Sequence, residues 1–337
     1  MSSRAPIGYL AINRVPATTN QGCKSIVPNS SVITEYLYYY LTQNIDDVKR
    51  LGSGSTFAEV GKSAVESVEI LLPPITEQKK IAEILSTADE EIRKTDEIIS
   101  AAEKLKNGLM QELFTKGIGH TKFKKTKMGM IPVEWEVEEL RSHIKSLDAG
   151  VSVNSFDRQI QNGEIGILKT SAVTFGVFDA AQHKVVIEEE NDRVSVPVKG
   201  NRVIVSRMNT PSLVGANAYV KKDYPNLYLP DRLWQVEPRN EKQISMEWLG
   251  YLFNLLWKNG TLSGLASGTS ASMKNLSKDS LLSIQAAFSG VEEQTEIAKI
   301  LSSVDEKILL NKELLNKFTF LKKGLMQDLL SGDIRVK

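Results

Sequence analysis

A single cysteine, Cys23, stands in the 337 residues of this sequence. That excludes an internal disulfide and any zinc site built from several thiolates, and it suits a reducing compartment, the cytoplasm by default. The three histidines, His120, His143 and His183, lie far apart, so a His-rich metal cluster has no support. No window approaches the roughly 18 apolar residues of a membrane span, and the opening MSSRAPIGYLAINR lacks the apolar stretch of a secretory signal. Charge of one sign is also missing: 42 Lys and Arg face 41 Asp and Glu, for a formal net charge of +1. Any nucleic-acid-binding face must therefore come from local segregation of charge.

Catalytic motifs are equally scarce. Gly61-Lys62-Ser63 looks like the end of a P-loop, but Gly54 precedes it at the wrong spacing. No Asn-Pro-Pro-aromatic motif of amino-methyltransferases appears, and the acidic run Glu188, Glu189, Glu190 and Asp192 has no partner motif. Nothing builds a catalytic constellation, so no enzyme activity, cofactor or metal is expected of the chain itself.

What is present is repetition, which is sought before any single motif is read. Residues 77–90 (EQKKIAEILSTADE) recur 216 positions later at 293–306 (EQTEIAKILSSVDE), and 105–113 (LKNGLMQEL) recur at the same offset as LKKGLMQDL. Both copies space their apolar residues alternately by four and three, the mark of a coiled-coil seam. In the first copy the seam is Ile81, Leu85, Ala88, Ile92, Thr95, Ile99 and Ala102, with Leu109 and Leu113 resuming it after Lys106. In the second it is Ile297, Leu301, Val304, Ile308, Asn311, Leu315 and Phe318, with Leu325 and Leu329 after Lys322. Thr95 and Asn311 interrupt the two seams at the same place. They are either tolerated edge positions or a polar pair that meets across antiparallel helices and fixes register.

Fainter repeats lie upstream. Ser53-Gly54-Ser55-Thr56 matches Ser267-Gly268-Thr269-Ser270, the aromatic run at 36–41 resembles 248–253, and Ser3-Arg4 before Gly8 parallels Ser206-Arg207 before Gly215. The repeating unit is thus a globular domain followed by a long helix.

The helix starts at Pro74, Glu77, Gln78 and at Glu293, Gln294, the GLMQ[ED]L endings, and the segment 129–140 (GMIPVEWEVEEL) together resemble the specificity subunits of Type I restriction-modification systems. The resemblance covers nearly the whole chain. It implies an α+β fold in which mixed α/β target-recognition domains alternate with two long helices forming an antiparallel coiled coil. The corresponding divisions are 1–75 (the C-terminal part of a first recognition domain), 76–117 (first helix), 118–128 (basic linker), 129–290 (second recognition domain) and 291–332 (second helix). The family's opening motif occurs once, at Ile131-Pro132 and Trp135, so the first domain is expected to lack its N-terminal half. Partners implied are double-stranded DNA, methyltransferase subunits, which would carry S-adenosylmethionine, and a restriction or translocase subunit, which would use ATP.

Reading base edges needs paired donors and acceptors, and holding phosphates needs cations, small hydroxyls and free backbone N–H groups. The candidates are Arg4 in the first domain and Lys169, Thr170, Arg202, Arg207, Asn209, Lys221, Lys222 and Arg232 in the second. The loop Ser267, Gly268, Thr269, Ser270 with Lys274 joins them, although such a loop is equally read as a tight turn. Helices of about 34 residues would span roughly 50 Å at 1.5 Å per residue, long enough to act as a ruler between two half-sites about one DNA turn apart. The rival reading is a coiled-coil scaffold or antirestriction-like protein that binds a methyltransferase without reading DNA; a complete second domain of loop-rich α/β structure argues against it.

Overall fold

The computed structural model describes every residue except 5, 53–58, 175, 269–271 and 337. In chain order the helices are α1 (Thr34–Gln43), α2 (Ile45–Arg50), α3 (Lys62–Glu66), α4 (Ile75–Lys116), α5 (Met246–Lys258), α6 (Thr261–Leu265), α7 (Lys278–Leu282) and α8 (Val291–Ser331). The strands fall between α4 and α8: β1 (Phe123–Thr126), β2 (Gly129–Pro132), β3 (Glu136–Glu139), β4 (Ile144–Ala149), β5 (Ser155–Phe156), β6 (Gly166–Leu168), β7 (His183–Val186) and β8 (Pro197–Val198). They continue with β9 (Arg202–Ser206), β10 (Met208–Asn209), β11 (Asn217–Val220), β12 (Tyr224–Tyr228), β13 (Leu233–Pro238), β14 (Lys274–Asn275) and β15 (Gln285–Phe288). No described helix is long and apolar enough to cross a membrane.

Helices α4 and α8 run uninterrupted for 42 and 41 residues because neither contains a proline. Each stops before a glycine in the left-handed region, Gly117 at φ +66° and Gly332 at φ +83°. The chain forms two compact units, Met1–Glu103 with Lys307–Lys337, and Lys104–Glu306.

In the first unit, α4 and α8 lie antiparallel, tied by Glu103 to Lys312 at 2.8 Å, by Asp89 to Lys322, and by Glu77 to Arg335 at 2.6 Å. Ile81 and Leu85 pack with Met326, Leu329 and Leu330 against Tyr36 and Tyr39 of α1. Along the seam Ile99 and Ile308 are also buried, while Ala88, Ile92 and Leu315 are half-buried. The ion pairs place Thr95 opposite the stretch around Lys317, so Thr95 and Asn311 do not meet. Each instead satisfies itself: the Thr95 hydroxyl donates to the Glu91 carbonyl at 2.7 Å, and the Asn311 amide donates to the Lys307 carbonyl at 2.8 Å. The reading of a register-fixing polar pair is therefore corrected. In a double-mutant cycle by urea unfolding, Thr95→Val and Asn311→Leu are expected to couple by less than about 0.5 kcal/mol, as independent sites do.

Register has another source, hidden in the lysines that break the seam. The Tyr39 hydroxyl donates to Asp89 at 2.8 Å, Asp89 pairs with Lys322, and the ammonium of Lys322 lies 5.6 Å over the Tyr39 ring. Burial, and then the Asp89 carboxylate, push the Tyr39 hydroxyl well above its ordinary pKa. The second unit holds the same triad with the helices exchanged. Tyr251 donates to Asp305 at 2.8 Å, Lys106 donates to both Asp305 oxygens at 2.6 and 2.8 Å, and Lys106 sits 5.3 Å over the Tyr251 ring. Asp89 and Asp305, like Lys106 and Lys322, are 216 positions apart. Asp305→Ala would strand Lys106, whose side chain is 17% exposed, together with the Tyr251 hydroxyl. An expected loss of about 2–3 kcal/mol in urea unfolding follows.

The second unit is built on a four-stranded antiparallel sheet in the order β11-β9-β13-β4. Its two faces are both covered. Val203, Val205, Trp234 and Val236 face a core with Trp248, Leu249 and Phe253 of α5, Ile297 and Leu301 of α8, and Met110, Leu113 and Phe114 of α4. From the other face Ile204, Ala218 and Leu233 pack with Leu168, Val173, Val198 and Leu227. Alternate residues of a strand point to opposite faces, so a sheet covered twice needs the continuous apolar run found in β9. Leu168, Leu227 and Val198 belong to a five-stranded sheet, order β5-β7-β6-β12-β8, with β6 and β12 parallel. The ladder of β3 and β15 completes this unit near the start of α8.

The repeated Gln does the same work in both units. Gln78 accepts the N–H of Ile33, before α1, and donates to the Pro73 carbonyl; Gln294 accepts the N–H of Ser245, before α5, and donates to the Ser289 carbonyl. Each thus ties the start of its long helix to the start of an amphipathic one.

Candidate nucleic-acid interface

Several candidate stretches converge where β9 gives way to β10. The Arg207 N–H donates to the Arg232 carbonyl at 3.0 Å, and the Arg207 carbonyl accepts the Leu276 N–H at 2.8 Å. Asn209 is paired with Lys274 in the ladder of β10 and β14. Ser267 exchanges backbone hydrogen bonds with Asn275 at 2.8 and 2.9 Å, and the Gly268 carbonyl accepts the Lys274 ammonium at 3.0 Å. Thr269 and Ser270 lie outside the described residues. Gly215 makes the turn that returns the chain to the sheet: it sits at φ +84°, and a Cβ there would press on the Leu262 side chain.

The guanidinium of Arg207 lies 5.7 Å from the Trp234 ring centre, and its Nε is buried with no hydrogen-bond partner. Among the described residues Arg207, Arg232 and Lys274 enter no ion pair, so this surface holds three cations without a compensating carboxylate. Asn209 spends its amide locally, donating to the Ser206 hydroxyl at 3.2 Å and accepting the Thr210 N–H at 2.9 Å.

The other candidates are placed differently. Arg202 is clamped between Glu237 and Glu241, both at 2.8 Å, with 13% of its side chain exposed. Lys169 is paired with Asp157, whose carboxyl it holds below the usual range, and the Thr170 carbonyl accepts the Thr174 hydroxyl at 3.4 Å. Lys221 lies 3.8 Å from Glu306, and Lys222 rests 5.4 Å over the Tyr224 ring. Arg4 pairs with Glu59 at 3.0 Å, and Lys24 reaches the same carboxylate at 3.4 Å.

The structure also shifts one equivalence. Ser2 exchanges hydrogen bonds with Gly8 and Tyr9 as Ser206 does with Gly215 and Ala216, and the Ser3 carbonyl accepts the Val60 N–H as the Arg207 carbonyl accepts that of Leu276. Arg207 therefore corresponds to the buried Ser3, and Arg4 corresponds to Met208. Matching the Ser-Arg pairs by identity set the alignment off by one residue, because the backbone ladder rather than the side chain defines position here. Trp234, the ring beneath Arg207, does not stand out in the sequence; its only signal is its place in an apolar run.

The α+β chain with its two long helices thus carries, where β9 gives way to β10, three cations that enter no ion pair among the described residues, the kind of surface a nucleic-acid-recognition protein needs. The family model for the Type I restriction modification DNA specificity domain matches residues 1–104 and 132–319. The chain is 31% identical over 305 residues to the Type I restriction enzyme MjaVIII specificity subunit of Methanocaldococcus jannaschii, covering 90% of this chain and 70% of that one. It is 34% identical over 186 residues to the MjaIX specificity subunit of the same organism, covering 52% and 42%. The fold resembles the Type I S subunit of M. genitalium, with a TM-score of 0.60 at 16% identity, over 89% of this chain and 73% of that one. The chain belongs to the Type I restriction-modification DNA specificity family and is a specificity subunit, a DNA-recognition component rather than a catalytic one.

Proposed function

We propose that this subunit reads one part of a bipartite DNA target through the surface of Arg207, Arg232 and Lys274, and presents that target to methyltransferase and restriction subunits. The observation that carries the reading is the absence of ion pairs at these three cations among the described residues, set against the paired Lys169, Arg202 and Arg4. A cation already neutralised by a carboxylate releases little on meeting a phosphate, whereas an uncompensated one displaces condensed counterions from DNA. Catalysis then resides in the partners, with S-adenosylmethionine on the methyltransferase and ATP on the translocase. The complex works in the cytoplasm, the reducing setting that suits a lone Cys23.

Uninterrupted helices of 42 and 41 residues support a fixed, unspecified spacer between the two parts of the target. The test is to mix the chain with its genomically adjacent methyltransferase and map methylated positions on a random DNA library. A split motif with a constant gap is the expected result. A stable complex that methylates without sequence preference would overturn the reading.

A further inference from the structure

The two long helices start with the same Glu, but the two carboxylates are served differently. Glu293 accepts three N–H groups, each at 2.9 Å: the backbone of Ile118 and the imidazole Nε2 of His120 on Oε1, and the indole of Trp135 on Oε2. Glu77 accepts the backbone N–H of Val336 on Oε1 at 3.1 Å, and Arg335 donates the other two bonds seen among the described residues, Nε to Oε1 at 2.8 Å and one terminal nitrogen to Oε2 at 2.6 Å. Val336, just past the end of α8, thus stands where Ile118, just past the end of α4, stands in the other repeat. Arg335, 61% exposed, stands where His120 and Trp135 stand. Beside it opens a cleft of about 360 Å³ lined by Pro74, Thr76, Glu77, Lys80, Arg335 and Val336.

An independent feature lies just upstream. In the second repeat, β15 pairs with β3, the strand that follows Trp135, and Ala287 and Phe288 are 8% and 4% exposed. Their counterparts at the 216-residue offset, Leu71 and Leu72, are 53% and 48% exposed. Among the described residues, the backbone N–H groups of 69–72 have no hydrogen-bond partner, although the Leu71 carbonyl accepts the Tyr36 hydroxyl at 2.7 Å. The first repeat therefore has both halves of a receptor, a carboxylate for an indole and an unpaired edge for a strand, whose second-repeat copies are filled by residues 135–139.

We infer that Glu77 and the 69–72 edge form a docking site for a polypeptide segment outside these 337 residues. That segment is of the Ile-Pro-x-x-Trp type followed by an alternating strand. Its indole N–H takes Glu77 Oε2 in place of Arg335, and its strand pairs with 69–72 and covers Leu71 and Leu72. Backbone pairing supplies affinity in this mode of recognition, and the tryptophan supplies specificity. Arg335 is the placeholder that keeps a buried carboxylate satisfied while the site is open.

The test uses the full chain and a fluorescein-labelled peptide of residues 129–140 (GMIPVEWEVEEL), followed by anisotropy without DNA, so its outcome is separate from that of DNA recognition. Saturable binding is expected. Trp135→Phe in the peptide, which removes the N–H but keeps the ring, should weaken it at least fivefold, Glu77→Gln in the chain about tenfold, and Arg335→Ala should strengthen it. Absence of binding to the Arg335→Ala chain at millimolar peptide would overturn the assignment, as would binding indifferent to both Trp135→Phe and Glu77→Gln. So would a dimer of the chain alone that Glu77→Gln dissociates, since a second copy would then fill the cleft.

Discussion

Replacing Arg207, Arg232 and Lys274 together by alanine is expected to weaken binding to the cognate duplex by on the order of 100-fold or more near physiological salt. It should also flatten the slope of log affinity against log salt by between two and three, close to 0.9 for each phosphate no longer neutralised. The reason is local. Backbone pairing brings the three residues together where β9 gives way to β10 and β10 meets β14, and none of them enters an ion pair among the described residues. Lys169→Ala and Lys221→Ala serve as controls, because each of these lysines already faces a carboxylate, Asp157 and Glu306 respectively. Their salt slopes should stay within one unit of the parent. A triple variant that keeps both affinity and slope, measured by fluorescence anisotropy between 50 and 200 mM salt, would move the interface elsewhere. Arg207→Ala alone should in addition relax preference at one base position if its guanidinium, lying over Trp234, reads a base edge rather than a phosphate.

A second large effect is expected at Gly150, directly after β4. A Cβ there would overlap the carbonyl oxygen of Leu229, a backbone atom in a fully buried residue whose N–H is held by the Val196 carbonyl. Flexible side chains can yield to an added methyl; this carbonyl cannot without moving the connection into β13. Gly150→Ala should therefore destabilise by about 3 kcal/mol or more, at the severe end for overpacking. Thermal unfolding should show a midpoint lower by roughly 6–12 °C for a unit of this size. Since β4 pairs with β13 through Ala149 and Trp234, the displacement also reaches the ring beneath Arg207. A midpoint within 2 °C of the parent would show that the β4 edge strand can shift at little cost.

The features legible in the sequence are those written in short-range spacing. Four-three alternation places both long helices and their seam, since a helix face is a property of consecutive residues. The repeat at 216 residues announces two related modules, and with the opening at Ile131 and Trp135 it carries the family resemblance. Even the beginnings of the helices are readable, because Gln78 and Gln294 each bond across less than 50 positions to the segment just before them.

What could not be read is which partner each charge finds. Arg202 looks like any free arginine until strand pairing of β9 with β13 brings Glu237 beside it. Lys106 and Lys322 look like flaws in a seam until the antiparallel register delivers Asp305 and Asp89 from the other helix. Coulomb attraction at these distances depends on separation in space, and residues 199 apart in sequence stand 2.6 Å apart only after the helices have paired. The sequence by itself determined the long helices and the class of protein. Tertiary structure alone decided which cations are neutralised, and it decided that Arg207, Arg232 and Lys274 remain uncompensated, because strand order and helix register, not spacing, set the distances between charges.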